Sequence, residues 1–421
     1  MMENTVFLLS PLITENFDEK FKKKFLTRYR MGAEYARSDK KYHIFVQEKI
    51  RNGKIKKEDL AKSLYDDLLY GNQRRIRVYK ICSYDKKMQN SDELLSRLQS
   101  YYPYVDTLDF NKILFQAADD QIEDLVGIDI CWGLGTKVPK VQEINMIFSE
   151  QCTISEKKGK HNEYSYITVT IDFMQNLLFI KVKPKTGVEQ EDKKPDRLMQ
   201  KYFEKITRIF SIYYHEYINL HQNTLCNMNI ELYKQIYHKI VKSRSGKLNK
   251  YAEQTANEII RELGINNYAM KVAENNVFNI QDILQKMLEH VLISDSIYES
   301  KDGKKLQGVD GYVTYVKFSD GTNINARLKG NDAKEPIFSS ETFMALRSSM
   351  ENAQRISELK IYWFNKFSGL RVAYDAADSQ YLEISIFRHH KREEFEYAIA
   401  WYKECEQRTI EQNTELFSLE A

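Results

Sequence analysis

The chain has 421 residues, 42% of them hydrophobic and 29% charged, with 63 Lys and Arg against 60 Asp and Glu for a net charge of +3. That is too apolar for general disorder, too balanced for a histone-like binder, and long enough for two or three domains. No run of ~18 apolar residues is present, so no membrane span is expected; the five scattered cysteines (Cys82, Cys131, Cys152, Cys226, Cys405), none spaced as CxxC, argue against a disulfide scaffold or a Cys-based zinc site and for reduced thiols in the cytoplasm.

The first apolar stretch, Val6 to Ile13, follows Glu3 and is broken by Ser10 and Pro11. It lacks the cationic leader of a signal peptide and reads as a first strand. From Lys57 to Leu69 the residues Leu60, Leu64 and Leu68 recur at helical spacing. Arg75 to Cys82 reads as a strand and Ser91 to Leu98 as another helix. From Gln142 the period falls to two over EINMIFSEQ, YSYITVTIDF and NLLFIKVKP, and Gln175-Asn176 marks the turn of an antiparallel hairpin. Pro184, Gly187 and the charged stretch Glu189–Lys194 close a mixed domain over 1–190.

Pro195-Asp196 supplies a helix start, with Leu198, Tyr202, Ile206, Ile209, Tyr213, Tyr217 and Leu220 on one face. Further helices are expected near Ile230–Lys242, over Tyr251–Leu263 up to Gly264, and after Asn279, where Ile280, Ile283, Met287 and Val291 form the apolar face. Together they predict a helical domain over 195–298.

The third domain, 305–421, starts with strand-like Val309–Phe318, a turn at Ser319-Asp320-Gly321, and alternating Asn323–Leu328. Ser339 or Ser340 can cap a helix carrying Phe343, Leu346, Met350 and Ala353. LKIYWF, LRVAY and YLEISIF then read as strands, and a last helix from about Lys391 groups Phe395, Ile399 and Tyr402. The predicted fold class is α+β: an N-terminal mixed α/β region with an antiparallel hairpin, a helical middle, and a C-terminal ββαβββα domain with an antiparallel sheet.

Most enzyme motifs fail. Gly246-Lys247 lacks the remainder of a P-loop, and Trp132-Gly133-Leu134-Gly135 lacks the third glycine of a dinucleotide fingerprint. In His215-Glu216-Tyr217-Ile218-Asn219 an Asn replaces the second zinc ligand. His221 lies six positions from His215, about 240° around a helix, and the adjacent His389-His390 would supply at most one ligand. No GxSxG elbow is present. Arg208 to His215 has an Arg-x6-His spacing that resembles the motif of HEPN-type ribonucleases. The polar residue those enzymes usually carry after the Arg is Ile209 here, and the family is not assigned.

A magnesium-dependent nuclease needs an acidic residue on one strand and (D/E)xK on the next. Glu358-Leu359-Lys360 fits, with Asp310 or Asp320 on the preceding hairpin; Mg2+ enters only with this alternative, and no cofactor is expected otherwise.

Three basic runs remain. Lys20, Lys22, Lys23, Lys24, Arg28 and Arg30 form the first, Arg74, Arg75 and Arg77 the second. Lys234, Lys239, Lys242, Arg244, Lys247 and Lys250 form the third, with no acid between Glu231 and Glu253. Phosphate binding needs cations without interleaved carboxylates, and Tyr233 and Tyr237 could stack on bases or pack inward. The terminal stretch from Lys391 is acidic by contrast, and its apolar Leu416-Phe417-Ser418-Leu419 reads either as a docking element for a protein partner or as a frayed terminus.

The expected function is therefore a DNA- or RNA-binding accessory subunit, with a divergent nuclease and a protein scaffold as alternatives. The Lys, Asn, Ile and Tyr usage suggests an A+T-rich bacterial genome, and the lack of housekeeping motifs a defence or mobile-element setting.

Overall fold

The computed structural model describes residues 9, 13–14, 17–71, 74–115, 124–133, 139–157, 159–216, 218–265, 267–273, 279–299, 306, 308–319, 325–330, 332, 334–353, 355–364, 367 and 369–419. The expected first strand lies largely outside them, as do Leu134-Gly135 and the 320–324 turn. The class is α+β with antiparallel strand pairing, and the chain divides into two compact units. One comprises Met1–Tyr217 with Asp378–Glu396, the other Ile218–Ala377 with Tyr397–Ala421. Residues expected as one helical domain over 195–298 are thus shared between the units. Among the described residues no helix is long and apolar enough to cross a membrane, and no disulfide joins the cysteines.

The first unit opens with helices α1 (Glu19–Arg28), α2 (Gly32–Ala36), α3 (Tyr42–Arg51) and α4 (Lys57–Asp66), the last running into a π-helical turn, Asp67–Gly71. Strand β1 (Arg75–Ser83) and helix α5 (Ser91–Tyr101) follow. Asn90 caps α5, its Oδ1 accepting the Asp92 and Glu93 amides at 3.0 and 3.2 Å. Then come β2 (Phe110–Asn111), β3 (Leu125–Trp132), β4 (Val141–Glu156), β5 (Gly159–Asp172), β6 (Leu177–Val182) and helix α6 (Pro195–Phe210). With β12 (Leu382–Ile386), the sheet runs in the order β2-β3-β4-β5-β6-β1-β12.

The β5–β6 hairpin stands where the period-two pattern puts it. Asp172 faces Leu177, and the Asp172 carboxylate accepts the Met174 and Gln175 amides. Alternation sends Ile167, Val169 and Ile171 of β5 and Leu178, Ile180 and Val182 of β6 into one core beneath α5 and α6. On the opposite face Tyr65 lies against β3 and donates to the Asn145 carbonyl at 3.1 Å. Gly127 makes this approach possible, since a Cβ there would sit 2.9 Å from the Tyr65 ring.

Helix α6 is shorter than expected. Ser211 adopts a left-handed conformation (φ 50°) and ends it. The chain then forms β7 (Tyr213–Tyr214), which pairs with β1 instead of extending the helix to Tyr217 and Leu220. Tyr214 packs edge-on against Phe203, with ring centroids 4.9 Å apart.

The second unit contains α7 (Ile218–Ile240), α8 (Ser245–Glu262), α9 (Tyr268–Ala273), α10 (Ile280–Glu299), β8 (Gly311–Ser319), β9 (Asn325–Lys329), α11 (Glu341–Ala353), β10 (Ile356–Trp363) and β11 (Leu370–Asp375), and most of α12 (Arg392–Leu419). Its sheet has the order β9-β8-β10-β11. The predicted ββαβββα order of elements is observed, but the third strand of its second group is β12, which pairs with β1 in the first unit. On α10 the expected apolar face is the exposed one: Ile283, Met287 and Val291 are 48%, 41% and 55% exposed, whereas Glu289 and Ile293 are buried. Glu289 can turn inward because Arg347 of α11 stands 3.7 Å away.

Candidate nucleic-acid interface

The three basic runs have different fates. On α1, Phe21, Phe25 and Leu26 are buried and anchor the helix. Helical periodicity therefore turns Lys20, Lys23, Lys24 and Arg28 outward, and all four are exposed. None of them, nor Arg30, has an ion-pair partner among the described residues; Lys22 is held by Glu19 at 2.8 Å.

The second run is engaged in ion pairs within the first unit. Arg75 and Arg77 share the β1 face that meets the first turn of α6, where Asp196 sits. Arg75 bonds Glu383 at 2.5 Å and Asp196 at 2.7 Å. Arg77 bonds Asp196 at 2.6 Å, stands 3.6 Å from Glu383, its register partner on β12, and stacks 4.3 Å over the Tyr381 ring. Arg74 is paired with Asp18. Burial tends to raise the Asp196 carboxyl, but the two guanidiniums outweigh it and hold the group below its usual range. Arg75 and Arg77 are thus balanced by Asp196 and Glu383, whereas Asp18 is shared by Arg74 and Lys183.

The third run is exposed along its length. Leu232, Tyr233, Ile236 and Val241 are buried and fix the end of α7; Ala252 and Ala256 do the same for α8. Between these anchors a short 3-10 turn, Lys242–Arg244, leads into α8. Lys234, Lys239, Lys242, Arg244, Lys247 and Lys250 are all exposed. Apart from a loose 3.9 Å approach of Glu231 to Lys234, no carboxylate pairs with any of them among the described residues. Helix starts ordinarily favour acids, because the macrodipole presents partial positive charge there. The first turn of α8 has no acid and carries Lys247, with Lys250 next.

Of the two tyrosines proposed for stacking, Tyr233 is buried against Phe338 and Phe343 with Arg347 4.1 Å over its ring, whereas Tyr237 is half-buried. Tyr251, 63% exposed on α8, is the ring the sequence reading missed. Its position one residue past Lys250 was the available signal.

The nuclease residues are not brought together. Antiparallel pairing places Gly311 opposite Trp363 and Lys317 opposite Glu358. Asp310, level with Phe364, thus lies past the far end of β10 from Glu358, six residues or ~20 Å along the strand. Asp310 accepts from Gln235 Nε2 and from the Tyr397 hydroxyl, each at 3.0 Å. Glu358 and Lys360 pair with each other at 3.1 Å. Asp320 lies outside the described residues. No three His, Cys, Asp or Glu side chains among the described residues are placed to share a metal ion.

Three of the histidines are internal. His221 Nδ1 meets the Tyr402 hydroxyl at 2.6 Å, and His389 Nε2 meets Asp67 at 2.5 Å. His390 is buried, which pushes it down to about 3. Arg208 lies on α6 but His215 follows β7, so the Arg-x6-His pair does not share a helix. A cleft of about 650 Å³ in the first unit is lined by Asp66, Asp109, Asp129, Lys57, Lys62 and Tyr65, among others. Burial raises Asp66 and Asp129, with the neighbouring charge of Asp129 adding at Asp66 and that of Asp109 at Asp129.

No protein-family model matches the chain, and a search of curated proteins finds no match.

Proposed function

We propose that the chain is a non-enzymatic accessory subunit that binds the phosphate backbone of nucleic acid through the α7–α8 corner, with the outer face of α1 as a further contact. The observation that carries this reading is the set of exposed cations Lys239, Lys242, Arg244, Lys247 and Lys250, without a carboxylate partner among the described residues, at an acid-free helix start. Such a set attracts phosphate without regard to sequence and releases condensed counterions on binding. The A+T-biased composition and the cysteine usage suggest a bacterial cytoplasm, and a defence or mobile-element system is the proposed setting.

Fluorescence anisotropy with labelled DNA and RNA tests the reading. Replacing Lys239, Lys242 and Arg244 together by Gln is expected to weaken binding at least ten-fold at about 50 mM salt. Unchanged affinity would overturn the assignment of this corner. Absence of any affinity at that salt would overturn nucleic-acid binding itself and leave the protein scaffold.

A further inference from the structure

The second unit's sheet has two unlike faces. On one, Val313, Val316, Leu359, Ile361, Trp363, Val372 and Tyr374 are buried. Helix α12 seals this side: Trp401 packs on Trp363 at 5.2 Å, and Tyr374 donates its hydroxyl proton to the Ala398 carbonyl at 3.1 Å. Register fixes what the other face carries. One row is Tyr312, Tyr362 and Arg371; the next is Lys329, Tyr315 and Lys360; the next is Arg327, Lys317 and Glu358. A bulge in β8 between Val313 and Tyr315 brings Tyr312 and Tyr315 to the same side.

Three features of this face converge. First, its rings lie nearly parallel: Tyr312 and Tyr362 are stacked 5.5 Å apart at 24°, and Tyr362 and Phe364 6.4 Å apart at 29°. These rings and Tyr315 are half-buried, and Lys360 Nζ stands 4.4 Å over the Tyr315 ring centroid, capping one of its faces. Second, the Tyr362 hydroxyl lies over Gly369, where a Cβ would come within 2.5 Å, so the ring is seated at a fixed height. Third, Lys317, Arg327 and Lys329 are exposed, and among the described residues none has an ion-pair partner. The acids on the face are already engaged: Glu358 by Lys360, and Asp375 by the Ala377 amide at 2.9 Å.

We infer that this face of β9-β8-β10-β11 is a stacking platform for single-stranded nucleic acid, with bases on Tyr362, Tyr315 and Phe364 and phosphates on Lys317, Arg327 and Lys329. Aromatic rings interleaved with unpaired cations suit a strand whose bases are unstacked, because every base offers a π-face and the backbone needs only charge. A duplex keeps its base faces covered and would use the cations alone. Successive rows are ~7 Å apart along the strands, close to the reach of one extended nucleotide. The inference rests on the nucleic-acid reading above but on different residues, and it names the substrate as single-stranded.

The test uses the full chain and labelled oligonucleotides of about 15 nucleotides, oligo-dT, oligo-rU and a mixed duplex of the same length. Tyr362→Leu and Tyr315→Leu are each expected to weaken single-strand binding roughly ten-fold and leave duplex binding within two-fold. Tyr362→Phe, which keeps the ring, should retain wild-type affinity. Photocrosslinking of 5-iodouracil strands to the unmodified protein, read by mass spectrometry, should label β8 or β10; this arm is independent of any folding defect in the variants. The relative affinity for oligo-dT and oligo-rU tells which sugar the platform takes.

Crosslinks confined to 234–250 with unchanged ring variants would overturn the platform and leave the α7–α8 reading standing. Equal loss of single-strand and duplex binding in the ring variants would also overturn it. Ring-dependent binding that ignores the Lys239, Lys242 and Arg244 replacements would support the platform and remove the corner.

Discussion

Lys181 gives the most quantitative prediction about the fold. It sits in mid-β6, opposite Thr168 and Ile76, and is only 2% exposed. Its ammonium lies 4.8 Å from the centroids of Tyr70 and Phe395 and 5.8 Å from Phe179, and its hydrogen bond to the Leu69 carbonyl is long, 3.5 Å. Burial lowers its pKa from 10.5 to about 7; the charges of Glu143 and Glu396 oppose the fall and that of Arg392 adds to it. At ~1.4 kcal/mol per pH unit the drop corresponds to a difference on the order of 5 kcal/mol. The unfolded chain binds the extra proton between pH 7 and 10.5, so this residue makes stability rise with pH across that window. Below pH 7 the ammonium is charged in both states and its burial is a full cost. Lys181→Met keeps the stem and removes the charge. It is expected to stabilise the first unit by about 1–4 kcal/mol at pH 6, with the gain shrinking toward zero by pH 10. Urea denaturation read by hydrogen exchange of the β6 peptide measures the effect, and a ¹³Cε lysine titration should lose a resonance that titrates near 7. A gain independent of pH, or destabilisation at pH 6, would refute the reasoning and show that the ring cage outweighs desolvation.

Other expectations follow from the same geometry. Arg77→Ala removes a nearly buried guanidinium from Glu383 and Asp196, which keep Arg75, so a loss of about 1–2 kcal/mol in urea denaturation is expected, with nucleic-acid affinity unchanged. Ser211→Gly relieves the left-handed φ of 50° and should add about 1 kcal/mol, read as a higher melting temperature. Glu358→Gln releases Lys360 on the open sheet face; oligo-dT affinity should rise about two- to four-fold, and Mg2+ should bring no strand cleavage in either protein.

Local pattern carried much of the fold. The period-two runs gave the β5–β6 hairpin, and LKIYWF read as a strand. What failed required distant partners. Arg75 meets Asp196 and Glu383 from 121 and 308 positions away, so its run looked like a free basic patch. On α10 the apolar stripe pointed the wrong way because Glu289 is buried beside Arg347. The end of α6 was missed because a Ser, not a Gly, takes the left-handed cap. The sheet platform was illegible for a related reason: its rows exist only through the β9-β8-β10-β11 register and the bulge in β8. The 234–250 run was legible because it is contiguous, and local anchors alone suffice to turn it outward.

The salt dependence of binding tests the central claim most directly. Five phosphate contacts from Lys239, Lys242, Arg244, Lys247 and Lys250 contribute about −3.5 to the slope of log K against log salt on single strands, at ~0.7 per contact, and Lys317, Arg327 and Lys329 of the sheet face about −2 more. Converting Lys239, Lys242 and Arg244 to Glu should reduce the magnitude of that slope by about 2 and the affinity with it. An unchanged slope in the triple variant would contradict the account.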